Sequence, residues 1–338
     1  MTRDSIFRLA SVTKPITAAA VMLLVDDGAI RLDDPVDRWL PELASPMVVR
    51  TPASDPDDVV PAVRKITVFD LLTFCAGYGF ASDFELPAVQ RLFSVQKDGR
   101  NPQSFPPPDV WMADLAQVPL LCQPGEAWLY DTCATIQGVL VTRVSGQSLP
   151  DFMAERIFGP LGMTDSAFVV PAAKRDRFTS YYQTSTDGVL ELADGPDGQW
   201  STPPAFALGN GGLAGTADDL LAFARMLLAD GATPDGHQLL SKDAVHGMTT
   251  DQTTPAQREL SQLFLEGQGW GFGGSVDIAT IEPWNVPGRY GWVGGTGTAL
   301  HIVPSAGSVA ILLTQVAAEG PAASRYMNDF WAYAANAG

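Results

Sequence analysis

Charge is scarce in this chain and lopsided where it occurs. Only 17 % of the 338 residues are charged, and 38 acids against 21 bases leave a net charge of −17. Phosphate backbones and anionic lipid heads select basic surfaces, so neither a nucleic-acid nor a membrane partner is expected. Long apolar runs are missing too. The longest, Ala18 to Val25, falls far short of the roughly 20 residues that span a bilayer. The opening MTRDSIFRLA lacks the basic, then apolar, then small-residue order of a signal peptide, so the chain as written reads as cytoplasmic. Cysteine is rare and odd in number: Cys75, Cys122 and Cys133 form no C-x-x-C pair, which argues against a disulfide framework. Three histidines, His237, His246 and His301, show no H-x-x-x-H spacing, so no metal site is expected.

What is present is apolar. Hydrophobic residues make up 46 % of the chain. At roughly 150 residues per domain the length is about two domains' worth, enough to bury a large core and exclude disorder as the main state. A helix is expected from about Ser11 to Asp27, with Gly28 as its stop. Its middle, ITAAAVMLLV, is apolar on every face, the mark of a buried helix. Further helices are expected over Ile66–Phe74, Trp111–Val118, Thr132–Ser145, Leu149–Phe158, Thr216–Ala229 (Thr216 as N-cap) and Ala322–Ala335. Residues 99–109, with four prolines, read as loop. Gly269–Val276, Tyr290–Gly294, Thr298–Val303 and Ser308–Val316 are short, Gly-punctuated and β-branched or aromatic, and read as an antiparallel meander. The expected class is α+β: an antiparallel sheet flanked by terminal helices, with a mostly helical insertion. About 1–40 and 265–338 would form one subdomain and about 41–264 the other.

Ser11-Val12-Thr13-Lys14 is an S-x-x-K at the mouth of the buried helix. Spacing of three puts hydroxyl and amine on one helical face. A serine hydroxyl needs an adjacent base, and a lysine serves if desolvation lowers its pKa. The helix N-terminus supplies free N–H groups for an oxyanion. With five lysines, S-x-x-K also arises by chance, and a second copy stands at Ser94-Val95-Gln96-Lys97. That copy runs into the turn DGRNP with no apolar helix behind it, so it is expected to be solvated and inert. Tyr130, in PGEAWLYDT before the helix at Thr132, could shuttle a proton, though alone it reads as packing over a helix start. Gly291-Trp292-Val293-Gly294-Gly295-Thr296-Gly297 ends an expected strand; its glycines allow close approach of a ligand, or simply a tight hairpin. GNGGLAG at 209–215 follows no strand and contains no G-K-[ST], so it reads as a Gly-rich turn.

Together and in this order, FRLASVTKPITAAAVMLLVDDGAIRLDDPV, PGEAWLYDT, GGLAGTADDLLAFARMLL and GWVGGTGTALHIVPSAG resemble the serine β-lactamase-like hydrolases. That superfamily includes class C β-lactamases, D-Ala-D-Ala peptidases and the family VIII carboxylesterases, and the resemblance covers essentially the whole chain. It implies that Ser11 is acylated, that Lys14 completes S-x-x-K and that Tyr130 is the tyrosine of Y-x-N. It puts Trp292-Val293-Gly294 at the K-T-G position and implies an oxyanion hole from the backbone N–H of Ser11 and Gly295. Two departures bear on substrate. Thr132 replaces the Asn of Y-x-N, and Trp292 replaces the cation that in lactamases pairs with the substrate carboxylate. Relatives also carry a helix and strands upstream of the serine. The expectation here is that Met1 is an internal start, which would reopen the signal-peptide question, or that another element covers the sheet edge.

The expected activity is hydrolysis of small-molecule carboxylic esters through an acyl-enzyme on Ser11, with no cofactor. Trp292, Val293, Gly294 and Thr132 are the expected substrate contacts. Whether Lys14 or Tyr130 is the base stays open, as do a β-lactamase, D-amino-acid peptidase or amidase, and an acyltransferase of the same chemistry. The reading from another class is a non-catalytic binding protein, against which the retained serine, lysine and tyrosine argue.

Overall fold

Twelve of the fourteen residues of helix α1 (Thr13–Asp26) are buried, as its uniformly apolar sequence demands. In the computed structural model, which describes residues 1–320 and 324–335, this helix packs against α5 (Thr132–Ser145), the helix Lys242–Thr249 and the strand Tyr290–Gly294. A 3₁₀ turn, Ala10–Val12, leads into it, and Gly28 leaves it at φ +70°.

The main sheet has five antiparallel strands in the spatial order Ser308–Leu313, Thr298–Val303, Tyr290–Gly294, Ser275–Val276 and Gly269–Trp270. Its register sets Trp292 opposite Leu300 and Gly294 opposite Thr298. Fold and class therefore match the α+β expectation. The single strand expected over Gly269–Val276 is instead two short strands with a turn between them. Gly273 in that turn, at φ +76°, lies so close to α1 that a Cβ there would meet the Cβ of Ala18 at 2.5 Å and the carbonyl of Lys14 at 2.8 Å. The last strand stops at Leu313 rather than Val316, and it forms one edge of the sheet among the described residues.

The helical region differs from expectation mainly at element ends. Helix α2 spans Val68–Leu72, closed by a reciprocal Thr67–Asp70 capping box. Helix α3 (Pro87–Phe93) was not legible in the sequence pattern, and α4 (Pro108–Leu115) begins three residues before the expected Trp111, with Pro108 at its first position. Residues 102–104 of the expected loop form a 3₁₀ turn. After α6 (Leu149–Met153) the chain continues as a wide π turn over Ala154–Phe158. Thr216 caps the helix Ala217–Leu228 through the Asp219 N–H at 3.2 Å. That helix, although in the 41–264 segment, packs on the strands Thr298–Val303 and Ser308–Leu313. The final helix is described over Arg325–Ala335; the expected start at Ala322 lies outside the described residues. No helix among the described residues is long and apolar enough to cross a membrane.

Candidate active site

Ser11 sits in the 3₁₀ turn, preceded by Ala10 in the left-handed region at φ +45°. A non-glycine residue is held there only when its surroundings over-determine it, and such strain gathers at functional sites. One turn on, Lys14 is fully buried, and all three of its donors are engaged. Its Nζ donates to Ser11 Oγ at 2.8 Å and to the Asn210 carbonyl at 2.8 Å, and pairs with Asp131 Oδ1 at 2.7 Å. Burial pulls the amine toward its neutral form, but Asp131 and Tyr130 outweigh burial and hold Lys14 above the ordinary lysine range. The balance of these neighbours favours the charged form of Lys14.

Tyr130 is fixed by a reciprocal backbone pair with Phe80, both bonds 2.9 Å. Its ring stacks on Phe264 at 4.6 Å. Its hydroxyl lies 3.0 Å from Ser11 Oγ, and the indole N–H of Trp292 donates to the Tyr130 oxygen at 2.9 Å. A continuous chain thus runs Trp292–Tyr130–Ser11–Lys14–Asp131. The Trp292 N–H is engaged by the tyrosine, and the residue is only 6 % exposed.

Asp131 carries no distinctive signal in the sequence. An Asp just before a helix reads as an N-cap, yet its side chain makes no cap bond. At φ +82°, with Thr132 N bonded back to the Tyr130 carbonyl at 3.2 Å, the backbone makes a tight three-residue turn. The Asp131 carboxylate meets Lys14 and also accepts from Gln96 Nε2 at 2.9 Å and Asn210 Nδ2 at 2.8 Å. Thr132, expected to touch substrate, is fully buried in the first turn of α5 and lines neither cavity beside Ser11; its hydroxyl has no partner among the described residues. The glycine-rich 209–215 segment has a packing reason. A Cβ on Gly209 would meet the Ala134 carbonyl at 2.4 Å, so only glycine lets this segment bring Asn210 to Lys14 and Asp131.

The turn after Trp292 is tied to the residues before Ser11. Thr296 Oγ1 donates to the Arg8 carbonyl at 2.6 Å and Thr298 Oγ1 to the Leu9 carbonyl at 2.9 Å. Ser11 and Gly295 line both adjoining cavities, one of about 350 Å³ and one of about 150 Å³. Trp292, Val293 and Gly294 line the smaller. Neither Ser94 nor Lys97 joins the hydrogen-bonded chain: Ser94 Oγ donates to the Arg91 carbonyl at 2.7 Å, and both residues are exposed. The three cysteines are free and buried, and burial raises the thiols of Cys75 and Cys122 to about 12 and pushes Cys133 up as well, so none offers a ready thiolate.

The family model for Beta-lactamase matches residues 1–333. Protein Rv1367c of Mycobacterium tuberculosis is 40 % identical over 324 residues, covering 93 % of this chain and 78 % of that protein. Esterase EstB of Burkholderia gladioli is 32 % identical over 341 residues, covering 95 % of this chain and 80 % of that one. Among solved structures, EstCE1, a hydrolase with promiscuous acyltransferase activity, matches with a TM-score of 0.79 at 24 % identity, over 100 % of this chain and 86 % of its own. That last likeness is one of fold.

Proposed function

This chain belongs to the Beta-lactamase family, and we propose that it hydrolyses small-molecule carboxylic esters through an acyl-enzyme on Ser11. The observation that carries the reading is the chain of contacts at the serine oxygen: the Tyr130 hydroxyl at 3.0 Å on one side and Lys14 Nζ at 2.8 Å on the other. Ser11 Oγ attacks the ester carbonyl while its proton passes to the Lys14–Tyr130 pair, which acts in the form that holds one proton fewer than an ammonium beside a phenol. Whichever member receives that proton, the pair then carries a net positive charge beside the reacting oxygens. The backbone N–H groups of Ser11 and Gly295 receive the tetrahedral oxyanion. The pair then returns the proton to the departing alkoxide. Water attacks the acyl-serine along the same path, releasing the acid and restoring the Ser11 hydroxyl.

Esterase EstB supports the ester reading by its own name, at 32 % identity. Trp292 supports it by chemistry: in lactamases that position holds the cation for the substrate carboxylate, and indole carries none. A second reading, acyl transfer to an alcohol in place of water, has the same intermediate and is favoured by the promiscuous acyltransferase activity of EstCE1. The test is turnover of a short-chain 4-nitrophenyl ester beside nitrocefin, with intact mass after fluorophosphonate treatment. One adduct and an ester kcat/KM at least about tenfold above nitrocefin are expected, the loss of one charge-assisted contact. Equal turnover of nitrocefin would replace the esterase reading with a lactamase one. No adduct and no ester turnover would leave the binding protein.

A further inference from the structure

The cavity of about 350 Å³ beside Ser11 has two unlike walls. One is apolar: Phe80 and Phe93 stack at 4.9 Å, and Phe93 is left 41 % exposed. The other is charged. Lys97, Asp98, Arg100 and Asp131 all line it, and both carboxylates are already matched. Asp98 accepts from Arg100 Nε at 2.9 Å and Nη2 at 2.7 Å, and Asp131 is paired with Lys14 at 2.7 Å. Lys97 is left over.

The other four lysines each pair with an aspartate, Lys14 with Asp131, Lys65 with Asp37, Lys174 with Asp165 and Lys242 with Asp230. Lys97 donates instead to the Ser104 carbonyl at 3.1 Å and reaches no carboxylate among the described residues. In a chain with 38 acids and 21 bases, an unmatched cation on this wall runs against composition. Its position is also held. The preceding residue, Gln96, is 2 % exposed and donates to Asp131 at 2.9 Å, so the segment bearing Lys97 is bonded to the network around Ser11.

We infer that this cavity selects esters that carry a carboxylate at the end of an apolar spacer, the spacer lying on Phe80 and Phe93 and the carboxylate received by Lys97. The inference rests on Ser11 being the acylated serine. It deepens that reading by naming a substrate class. Trp292 removes the cation from the smaller cavity; Lys97 supplies one in the larger.

Two ester pairs test it. One is 4-nitrophenyl hemiadipate against 4-nitrophenyl hexanoate, with the charge in the acyl half. The other is 4-carboxyphenyl butyrate against phenyl butyrate, with the charge in the alcohol half. The readout is the ratio of kcat/KM, charged over neutral, which does not depend on the fraction of enzyme correctly folded. In at least one pair, Lys97→Met should lower the ratio by at least about threefold, as suits an exposed charge pair, and Lys97→Glu by at least about tenfold. The wild-type ratio in that pair should fall as salt is raised, and Lys242→Met should leave it unchanged. A drop in the first pair places the carboxylate in the acyl half, and a drop in the second places it in the alcohol half. Ratios that Lys97→Glu does not move in either pair overturn the inference while the esterase reading stands. No turnover of any of the four esters overturns both.

Discussion

The chain carries S-x-x-K twice, and the two copies fare differently. Ser11-Val12-Thr13-Lys14 enters a 14-residue helix that the core encloses, so spacing of three becomes contact: Lys14 Nζ meets Ser11 Oγ at 2.8 Å. Ser94-Val95-Gln96-Lys97 begins where α3 has already ended at Phe93. Ser94 turns back to the Arg91 carbonyl, and Lys97 points to that of Ser104. Sequence spacing makes a pair only if the backbone stays helical across it. Burial then decides what the lysine does. Lys14, fully buried and matched by Asp131, lines neither cavity, whereas Lys97 stands at the wall of the larger cavity beside Ser11.

The sharpest way to break this comparison is to remove each serine. Ser11→Ala should lower ester turnover by at least about 1,000-fold and abolish the fluorophosphonate adduct, as loss of a nucleophile does. Ser94→Ala should keep both. An adduct that survives Ser11→Ala would move the chemistry elsewhere.

Removing the partner of the buried lysine is next in size. Asp131→Asn leaves an ammonium uncompensated in the core, a loss of about 3–5 kcal/mol of stability. The pH dependence carries a sign. In the wild type, Lys14 is raised above its unfolded value, so its contribution is fully present below about pH 10 and is lost only as pH climbs through the folded pKa. With Asp131 neutralised, burial dominates and the Lys14 pKa falls below the unfolded value. The variant should therefore gain stability relative to wild type between pH 7 and 9, as the amine gives up its proton more readily in the folded state. Urea midpoints at the two pH values measure this. A constant difference between variant and wild type would show that Asp131 does not hold the charge on Lys14.

The contrast between Ser11 and Asp131 shows what was legible in the sequence. The buried helix and the serine–lysine spacing are periodic signals, and they place Ser11 and Lys14 side by side. The strand pattern places Trp292 in a meander strand, where the register has it opposite Leu300, and Gly295 just past that strand's end. Asp131, Gln96 and Asn210 were not legible, because each reaches the site by an aperiodic device. These are a left-handed turn at Asp131, a segment beyond the end of α3, and a glycine run whose reason is contact with α5. The direction of the Lys14 shift escapes the sequence for the same cause. Burial can be read from hydrophobicity, but the carboxylate that outweighs it comes from 117 positions away in the chain, Lys14 to Asp131.

Tyr130→Phe separates proton transfer from packing. The ring contacts with Phe264 and Trp292 persist while the oxygen bridging Ser11 and Trp292 is lost. Turnover should fall at least about 100-fold, the low end for a general acid–base group, with the melting temperature little changed. Near-wild-type turnover would remove the tyrosine from the mechanism and return the proton to Lys14.

The smallest expected effect concerns Trp292, and it sharpens how the tyrosine is held. The Trp292 indole packs edge-on to Trp270 at 4.8 Å and donates its N–H to the Tyr130 oxygen at 2.9 Å. Trp292→Phe keeps an aromatic ring in that place and deletes only the donor and part of the ring. If the N–H orients the tyrosine oxygen for exchange with Ser11, its loss should lower kcat by about two- to tenfold, the worth of one ordinary hydrogen bond. KM should stay near wild type, because the contact is to the enzyme and not to substrate. A rise in KM with kcat unchanged would instead show that Trp292 acts on substrate, as a wall of the smaller cavity, and not through the tyrosine. Trp292→Lys asks the complementary question. It removes the indole donor and restores a cation where lactamases carry one, so nitrocefin should gain on the ester in kcat/KM even as ester turnover declines. If nitrocefin gains nothing, the preference for esters does not originate at Trp292, and the unmatched cation at Lys97 becomes the stronger determinant of which acyl donors this cleft accepts.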